Sequence, residues 1–200
     1  SKEKAKEEIG APDGTTFLIR NIFYNTPARR KFLKTAQTEG SYISGLMEHM
    51  ALSHPNVAFK FIANNQTKLQ TSGNGNIKEI IYHIYGRDIT AALMEIHGGN
   101  EEITIHGFVG KPVVTRGNRN FENYFINGRY IKSRLISKSI EDAYKNFMML
   151  HQYPFTVLYL EMDGQLLDVN VHPAKMELRF QNGAGVYDCL RRTLEDALYH

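Results

Sequence analysis

Residues 121–150 of the chain, FENYFINGRYIKSRLISKSIEDAYKNFMML, carry three structural signals in direct succession. Phe121–Ile126 is rich in aromatic residues and predicts a strand. Asn127-Gly128 is the strongest turn signal in the chain, because both residues tolerate the positive φ of a tight hairpin turn. Ser133–Leu150 repeats apolar residues at helical spacing and predicts a long helix. This order of strand, turn and helix indicates a domain in which helices come singly between pairs of strands.

The same alternation extends on both sides of this stretch. Turn residues between β-rich runs predict two further hairpins, Val57–Ala63 with Thr67–Thr71 across Asn64-Asn65 and Phe155–Met162 with Gln165–Val171 across Asp163-Gly164. Other strands are predicted at Thr15–Ile22, Ile89–His97 and Glu102–Val109. Helices are predicted from Thr26-Pro27, over Tyr42–Ser53, after an Asn76 cap up to Gly86, and over Val186–Leu198. The predicted buried faces of the first two helices are Ala28, Phe32, Leu33 and Ala36, and then Ile43, Leu46, Met47 and Met50.

These elements predict one α+β domain built on a mixed sheet. No repeat or low-complexity linker interrupts the pattern, so we place this domain at residues 11–200, after a flexible start over residues 1–10. The charged start, SKEKAKEE, is interpreted as the cut end of a larger protein.

The composition excludes several classes of protein. Apolar residues make up 42% of the chain and charged residues 22%, which is ordinary for a globular domain with a sizeable core. The single cysteine, Cys189, rules out an intrachain disulfide framework and is typical of a reducing cytosol. No apolar run approaches the length of a membrane span, so we expect no membrane partner. A formal charge of +3 is mild, so binding to an anionic partner would need local clusters of cations.

Two such clusters are present. Arg29, Arg30, Lys31 and Lys34 share a predicted helix without an acid among them. The second cluster runs from Lys111 to Lys138 and opposes one acid, Glu122, with seven cations: Lys111, Arg116, Arg119, Arg129, Lys132, Arg134 and Lys138. Like charges so close together repel each other and destabilise the protein slightly. Binding of a phosphate backbone would turn this repulsion into a net attraction to the partner. The alternatives are a solvated helix face for the first cluster and a surface loop with a plain hairpin for the second.

A third candidate is one lysine in VNVHPAKMELRF, residues 169–180. Two strand-like runs meet there at a corner that contains Pro173 and Lys175. A stiff corner is a poor place to bury an ammonium group and a good place to present it to a phosphate. The alternative is an ordinary polar turn. No local grouping of residues indicates a metal site or a catalytic nucleophile, so the chain by itself does not resemble an enzyme.

Three segments together resemble the MutL family of DNA mismatch-repair proteins. They are GTT at residues 14–16 with IFYNTPARRKFL at 22–33, FINGR at 125–129, and DVNVHPAKMELRF at 168–180, in the family's order. The resemblance covers nearly the whole chain from about Glu8. It implies the second, transducer domain of the N-terminal ATPase region, with the fold of the second domain of ribosomal protein S-five: a mixed sheet, helices packed on one face, and a left-handed β-α-β crossover.

The resemblance also implies functions for particular residues. Lys175 aligns with the family lysine that reaches the γ-phosphate of ATP, and ATP and Mg²⁺ are bound mainly by a preceding domain. Arg134, with Arg129, Lys31 and Lys34, would contact the DNA backbone without sequence preference. The implied partners are DNA, the mismatch-recognition protein MutS and a second copy that dimerises through the ATPase domain, in the bacterial cytoplasm. The alternative is a standalone RNA- or ribosome-binding module without a link to ATP.

Overall fold

A computed structural model describes residues 8, 10, 12–169 and 178–200 of the chain. The chain divides into two compact units, Ser1–Glu39 and Gly40–His200. The predicted boundary at residue 10 lies where most residues are outside the described ranges, so it stays a prediction.

Before Ala36, the described residues of the first unit form one short helix, α1 (Pro27–Arg30), with Pro27 in its first turn. The strand predicted at Thr15–Ile22 is wrong, since these residues take no strand conformation. A strand needs a hydrogen-bonded neighbour, and the described residues of this unit supply none. The predicted buried face is also wrong: Phe32 is 83% exposed and Leu33 is exposed too. Around Arg30 the helix gives way to turns in which the N–H groups of Phe32 and Leu33 bond to carbonyls three residues earlier.

Helix α2 (Ala36–Ser53) begins six residues before its predicted start. The prediction of its buried face is wrong at Ile43, Leu46 and Met50, which are exposed. Buried side chains occur only in its last turn, at Ala51 and Leu52. The helix therefore meets the core through its C-terminal end.

The main sheet of the second unit has five strands in the order β3-β4-β9-β6-β7. Their bounds are β3 (Leu93–Gly99), β4 (Ile103–Gly110), β6 (Glu122–Ile126), β7 (Arg129–Tyr130) and β9 (Thr156–Met162). All neighbours are antiparallel except β6 and β9, which are parallel. The sheet is therefore mixed, as predicted.

In the described ranges three two-stranded sheets accompany it: β1 (Lys60–Ala63) with β2 (Gln66–Gln70), β5 (Thr115–Arg116) with β8 (Tyr153–Pro154), and β10 (Leu167–Val169) with β11 (Leu178–Phe180). Asn64 and Asn65 both have positive φ, which confirms the first predicted hairpin. The hairpin predicted across Asp163-Gly164 is wrong. Both edges of β9 are already occupied by β4 and β6, so β10 pairs with β11 instead.

The described part of this unit has four further α-helices: α3 (Ile77–Tyr85), α4 (Arg87–Ala91), α5 (Arg134–Tyr144) and α6 (Gly183–Tyr199). The predicted cap of α3 is confirmed, because the Asn76 side chain accepts a hydrogen bond from the Glu79 N–H. Ile89 lies in α4 and not in the predicted strand. Helix α5 ends six residues before its predicted end, at Tyr144, whose hydroxyl donates to the Gly110 carbonyl. No helix in the described ranges is long and apolar enough to cross a membrane.

Helices cover both faces of the main sheet, so the expectation of helices on one face is wrong. One hydrophobic core joins alternate sheet residues such as Tyr124 and Leu158 to α5 and α6. The other core joins the intervening residues, such as Phe125 and Val157, to the end of α2, to α3 and to α4. A strand that is buried on both faces requires a layer of packing on each side.

Strands β4 and β9 approach each other closely at Gly107. It has a φ of +139°, and a Cβ atom there would lie 2.2 Å from the Val157 carbonyl oxygen. We expect Gly107→Ala to lower the free energy of unfolding by about 3 kcal/mol, measured by urea unfolding followed by circular dichroism. Gly117→Ala is the control, since nothing lies within 4 Å of its Cβ position. Equal stability of the two variants would contradict the close approach.

Candidate nucleic-acid interface

The predicted hairpin turn at Asn127-Gly128 is confirmed and firmly held. Asn127 and Gly128 have φ values of 48° and 77°. The Asn127 side chain donates to the Met162 carbonyl at 2.9 Å and accepts from the Met162 N–H at 3.0 Å. The exposed Arg129 comes directly after this turn and is the first residue of β7. The turn therefore fixes the backbone from which Arg129 projects.

The N-terminus of α5 is attached to the sheet by one tyrosine. The buried Tyr124 hydroxyl accepts from the Ser133 N–H at 2.8 Å, donates to the Ser133 carbonyl at 3.0 Å, and lies 3.0 Å from the Ser137 hydroxyl. Ser133 also caps the helix, as its hydroxyl accepts from the Ile136 N–H. Arg134, the first residue of α5, is exposed on this rigid base.

An open cleft of about 670 Å³ runs along this part of α5, and we call it the α5 cleft. Tyr124, Ser133 and Ser137 form part of its lining. Its charged lining consists of four cations and two acids: Arg119, Lys132, Arg134, Lys138, Glu141 and Asp142. An excess of cations at a helix N-terminus favours the binding of an anion.

Internal ion pairs neutralise two of these four cations. Arg119 forms a two-point contact with Glu141, and this contact raises the pKa of the Arg119 guanidinium. Lys138 donates to Asp142 at 2.9 Å. The spacing of four residues between Lys138 and Asp142 on a predicted helix could have indicated the second pair from the sequence. The first pair joins residues 22 positions apart and could not be found in this way.

Lys132 and Arg134 form no ion pair within the described ranges. The Lys132 ammonium lies 5.4 Å from the centre of the Tyr130 ring. The His49 ring stacks on the same Tyr130 ring, with 3.7 Å between the ring centres. Burial, and to a smaller extent the charge of Lys132, lower the pKa of His49, which favours its neutral form. Lys132 and Arg134 are therefore the cations of the cleft that remain available to an external anion.

Lys31 and Lys34 lie in the other compact unit, which is described by itself. Both lysines are exposed and follow α1 instead of lying on it. Neither forms an ion pair with any described acid. The Lys34 backbone N–H donates to the Glu39 carboxylate at 2.8 Å. Both lysines thus carry a charge that no described acid neutralises. They do not share a face of one helix, as the sequence had predicted.

Lys175 lies in residues 170–177, outside the described ranges, so its predicted function is not tested. The strands that precede and follow this segment, β10 and β11, form an antiparallel pair. In the described ranges no three or more His, Cys, Asp or Glu side chains form a group that could hold a metal ion.

Comparison with known proteins identifies the chain's relatives. Residues 81–199 match the family described as DNA mismatch repair protein, C-terminal domain. The DNA mismatch repair protein MutL of Agathobacter rectalis is 64% identical over 100% of this chain and 31% of that protein. MutL of Thermoanaerobacter pseudethanolicus is 35% identical over 97% of this chain and 32% of that protein. The chain belongs to the MutL family of DNA mismatch repair proteins.

This result confirms the family that the three sequence segments predicted. The chain spans about a third of the length of these MutL relatives. Two solved structures have a similar fold. They are the N-terminal domain of a DNA repair protein (TM-score 0.72, 22% identity) and the ATPase domain of the mismatch repair endonuclease MutL of Aquifex aeolicus (TM-score 0.61, 23% identity). Each match covers 88% of this chain and 59% of the other.

The attachment of α5 by Tyr124 leads to a stability prediction. Tyr124→Phe removes the hydroxyl that pairs with both backbone groups of Ser133; the carbonyl keeps the Ser137 N–H as a donor, but the buried Ser133 N–H loses the acceptor seen in the described residues. We expect the free energy of unfolding to fall by about 1–3 kcal/mol in urea titrations. Tyr42→Phe, at an exposed position, is the matched control and should change it by less than about 0.5 kcal/mol. An unchanged Tyr124→Phe variant would show that the hydroxyl does not hold the helix.

Proposed function

We propose that this MutL-family domain couples ATP binding and hydrolysis in a preceding domain to dimerisation and to DNA binding without sequence preference. The observation that carries the DNA part is the α5 cleft, where Lys132 and Arg134 remain unpaired beside the rigid turn that presents Arg129. Exposed cations on a fixed backbone suit phosphate groups, which are the same in every DNA sequence.

DNA binding by backbone contacts explains the kind of residues found in the cleft. Arginine matches a phosphate with two parallel hydrogen bonds, and lysine acts as a point charge. We assign these contacts to Arg134 and, with it, Arg129. Lys31 and Lys34 supply further exposed charge from the first unit. Recognition of a particular base sequence would need a helix or strand that enters a groove of the DNA. Membership of a DNA mismatch repair family favours DNA over the alternative of a standalone RNA-binding module.

The link to ATP rests on Lys175 and on the family. We propose that Lys175 contacts the γ-phosphate of an ATP that, with Mg²⁺, is bound mainly by a preceding domain. A solved structure of similar fold is described as the ATPase domain of a MutL protein, which supports such an arrangement. We further propose that the crossover from β6 through α5 to β9 is left-handed. We also propose that the protein binds MutS and a second copy of itself, and that it acts in the bacterial cytoplasm.

The DNA proposal predicts the effect of reversing one charge. Arg134→Glu should weaken binding to duplex DNA about tenfold or more at low salt, to the same extent for unrelated sequences, as measured by fluorescence anisotropy. The slope of log affinity against log salt concentration should become shallower by about 1. Arg87→Glu, an equal charge change at an exposed position on α4, is the control. A loss confined to one DNA sequence would contradict a backbone contact.

The ATP proposal predicts a separate effect for Lys175. In a polypeptide of this protein that hydrolyses ATP, Lys175→Ala should reduce turnover about tenfold or more, because a charge that stabilises the transferred phosphate is lost. Lys68→Ala removes an exposed lysine from β2 and should leave turnover unchanged. The circular dichroism spectra of both variants should match that of the wild type. Normal turnover in Lys175→Ala would exclude the γ-phosphate contact.

A further inference from the structure

Glu122 is a buried carboxyl group without a hydrogen-bond partner. It is the first residue of β6, its exposure is 1%, and neither carboxylate oxygen has a hydrogen-bond donor in good geometry among the described residues. Burying an ionised carboxylate without compensation costs several kcal/mol in principle, and such a group usually binds a proton instead. A buried polar group in this state needs a physical explanation.

Its position places it beside the α5 cleft. Tyr124 lies two residues further along β6, so it points to the same face of the sheet and lines the cleft. The groups that act on Glu122 come from each neighbouring segment: Arg119 before β6, Lys132 before α5, and Glu141 and Ser137 on α5. On the adjacent β9, the partner residue Thr156 is uncharged.

These neighbours leave the charge of Glu122 finely balanced. Burial, and then the charge of Glu141, raise the pKa of Glu122 to about 7. The Ser137 hydroxyl, Arg119 and Lys132 lower it in part. Ser137 is already engaged with Tyr124, and Arg119 is already paired with Glu141. Lys132 is therefore the neighbouring cation that is not otherwise paired.

The state of Glu122 changes the charge of the cleft substantially. The four lining cations exceed the two lining acids by two. With Glu122 neutral, the region carries a net charge of +2, and with Glu122 ionised it carries +1. One proton thus doubles the net positive charge that an approaching phosphate meets.

We propose that Glu122 is a proton-linked counter-charge of the α5 cleft, and that its carboxyl group takes up a proton from solvent when a DNA phosphate binds there. The inference rests on the DNA binding put forward above. A phosphate competes for Lys132 and adds negative potential, and both effects favour the neutral carboxyl. Because linkage is reciprocal, the neutral carboxyl strengthens DNA binding by the same factor.

The sign of the pH dependence follows. Below about pH 6, Glu122 is neutral in both the free and the bound protein, so the cleft has its full charge and its highest affinity. As the pH rises through about 7, the free protein loses this proton and binding must recover it, so affinity falls. DNA affinity should therefore increase as the pH falls from about 8 to 6.

Glu122→Gln tests the proposal, because an amide resembles the neutral carboxyl group in shape. Duplex DNA binding is measured by fluorescence anisotropy at about pH 6 and pH 8 at constant salt. Between pH 6 and pH 8, the fold-change in affinity of the wild type should exceed that of Glu122→Gln by a factor of at least about three. At pH 8, Glu122→Gln should bind DNA more tightly than the wild type does. Glu101→Gln, at an exposed position, is the matched control and should retain the wild-type pH dependence.

The outcomes separate this inference from the proposed function. If the wild type does not bind DNA, both fail. If it binds DNA but Glu122→Gln keeps the wild-type pH dependence, only the inference about Glu122 fails. A second measurement avoids any effect of the substitution on folding: the carboxyl ¹³C signal of Glu122 is titrated in the wild type with and without DNA. Its midpoint should move to higher pH when DNA is present, and an unmoved midpoint would overturn the proposal.

Discussion

The parallel pairing of β6 with β9 is the constraint on which the rest of the structure depends. All five residues of β6 are buried, and their side chains point alternately into two cores. A strand of this kind cannot lie at the surface, so helices must cover both of its faces. The parallel direction also requires a long connection back to β9, and this connection contains α5. The cleft therefore exists because the chain must cross over between these two strands.

The same constraint makes the candidate interface rigid. Tyr124 points from β6 into the core and ends in a hydroxyl that binds Ser133, so the start of α5 is fixed to the sheet. At the end of β6, the Asn127 side chain binds the backbone of β9 at Met162. Arg134 and Arg129 thus project from two points that are anchored to the same pair of strands. Cations on a fixed backbone lose less conformational freedom on binding than cations on a mobile loop.

Local chemistry made part of this predictable from the sequence. The turns at Asn127-Gly128 and Asn64-Asn65 and the Asn76 cap depend on a few adjacent residues, and all were predicted correctly. Non-local partners were not predictable. The hairpin across Asp163-Gly164 failed because β9 was already paired on both sides, and the burial of Phe32 and Leu33 failed because an apolar pattern does not specify what covers it. Lys175, the residue with the most specific predicted function, lies outside the described residues.

The candidate interface shows why counting basic residues is not enough to locate a binding site. Arg119 and Lys138 contributed to the basic cluster in the sequence, yet each is paired with an acid of α5, and the partner of Arg119 is 22 residues away along the chain. Glu122 was counted in the sequence only as the one acid of that cluster. Its burial gives it the larger effect, because a carboxyl group that is half protonated near neutral pH can change the charge of the cleft without any movement of the backbone. Burial thus decides which charges in this cleft are available and which are conditional.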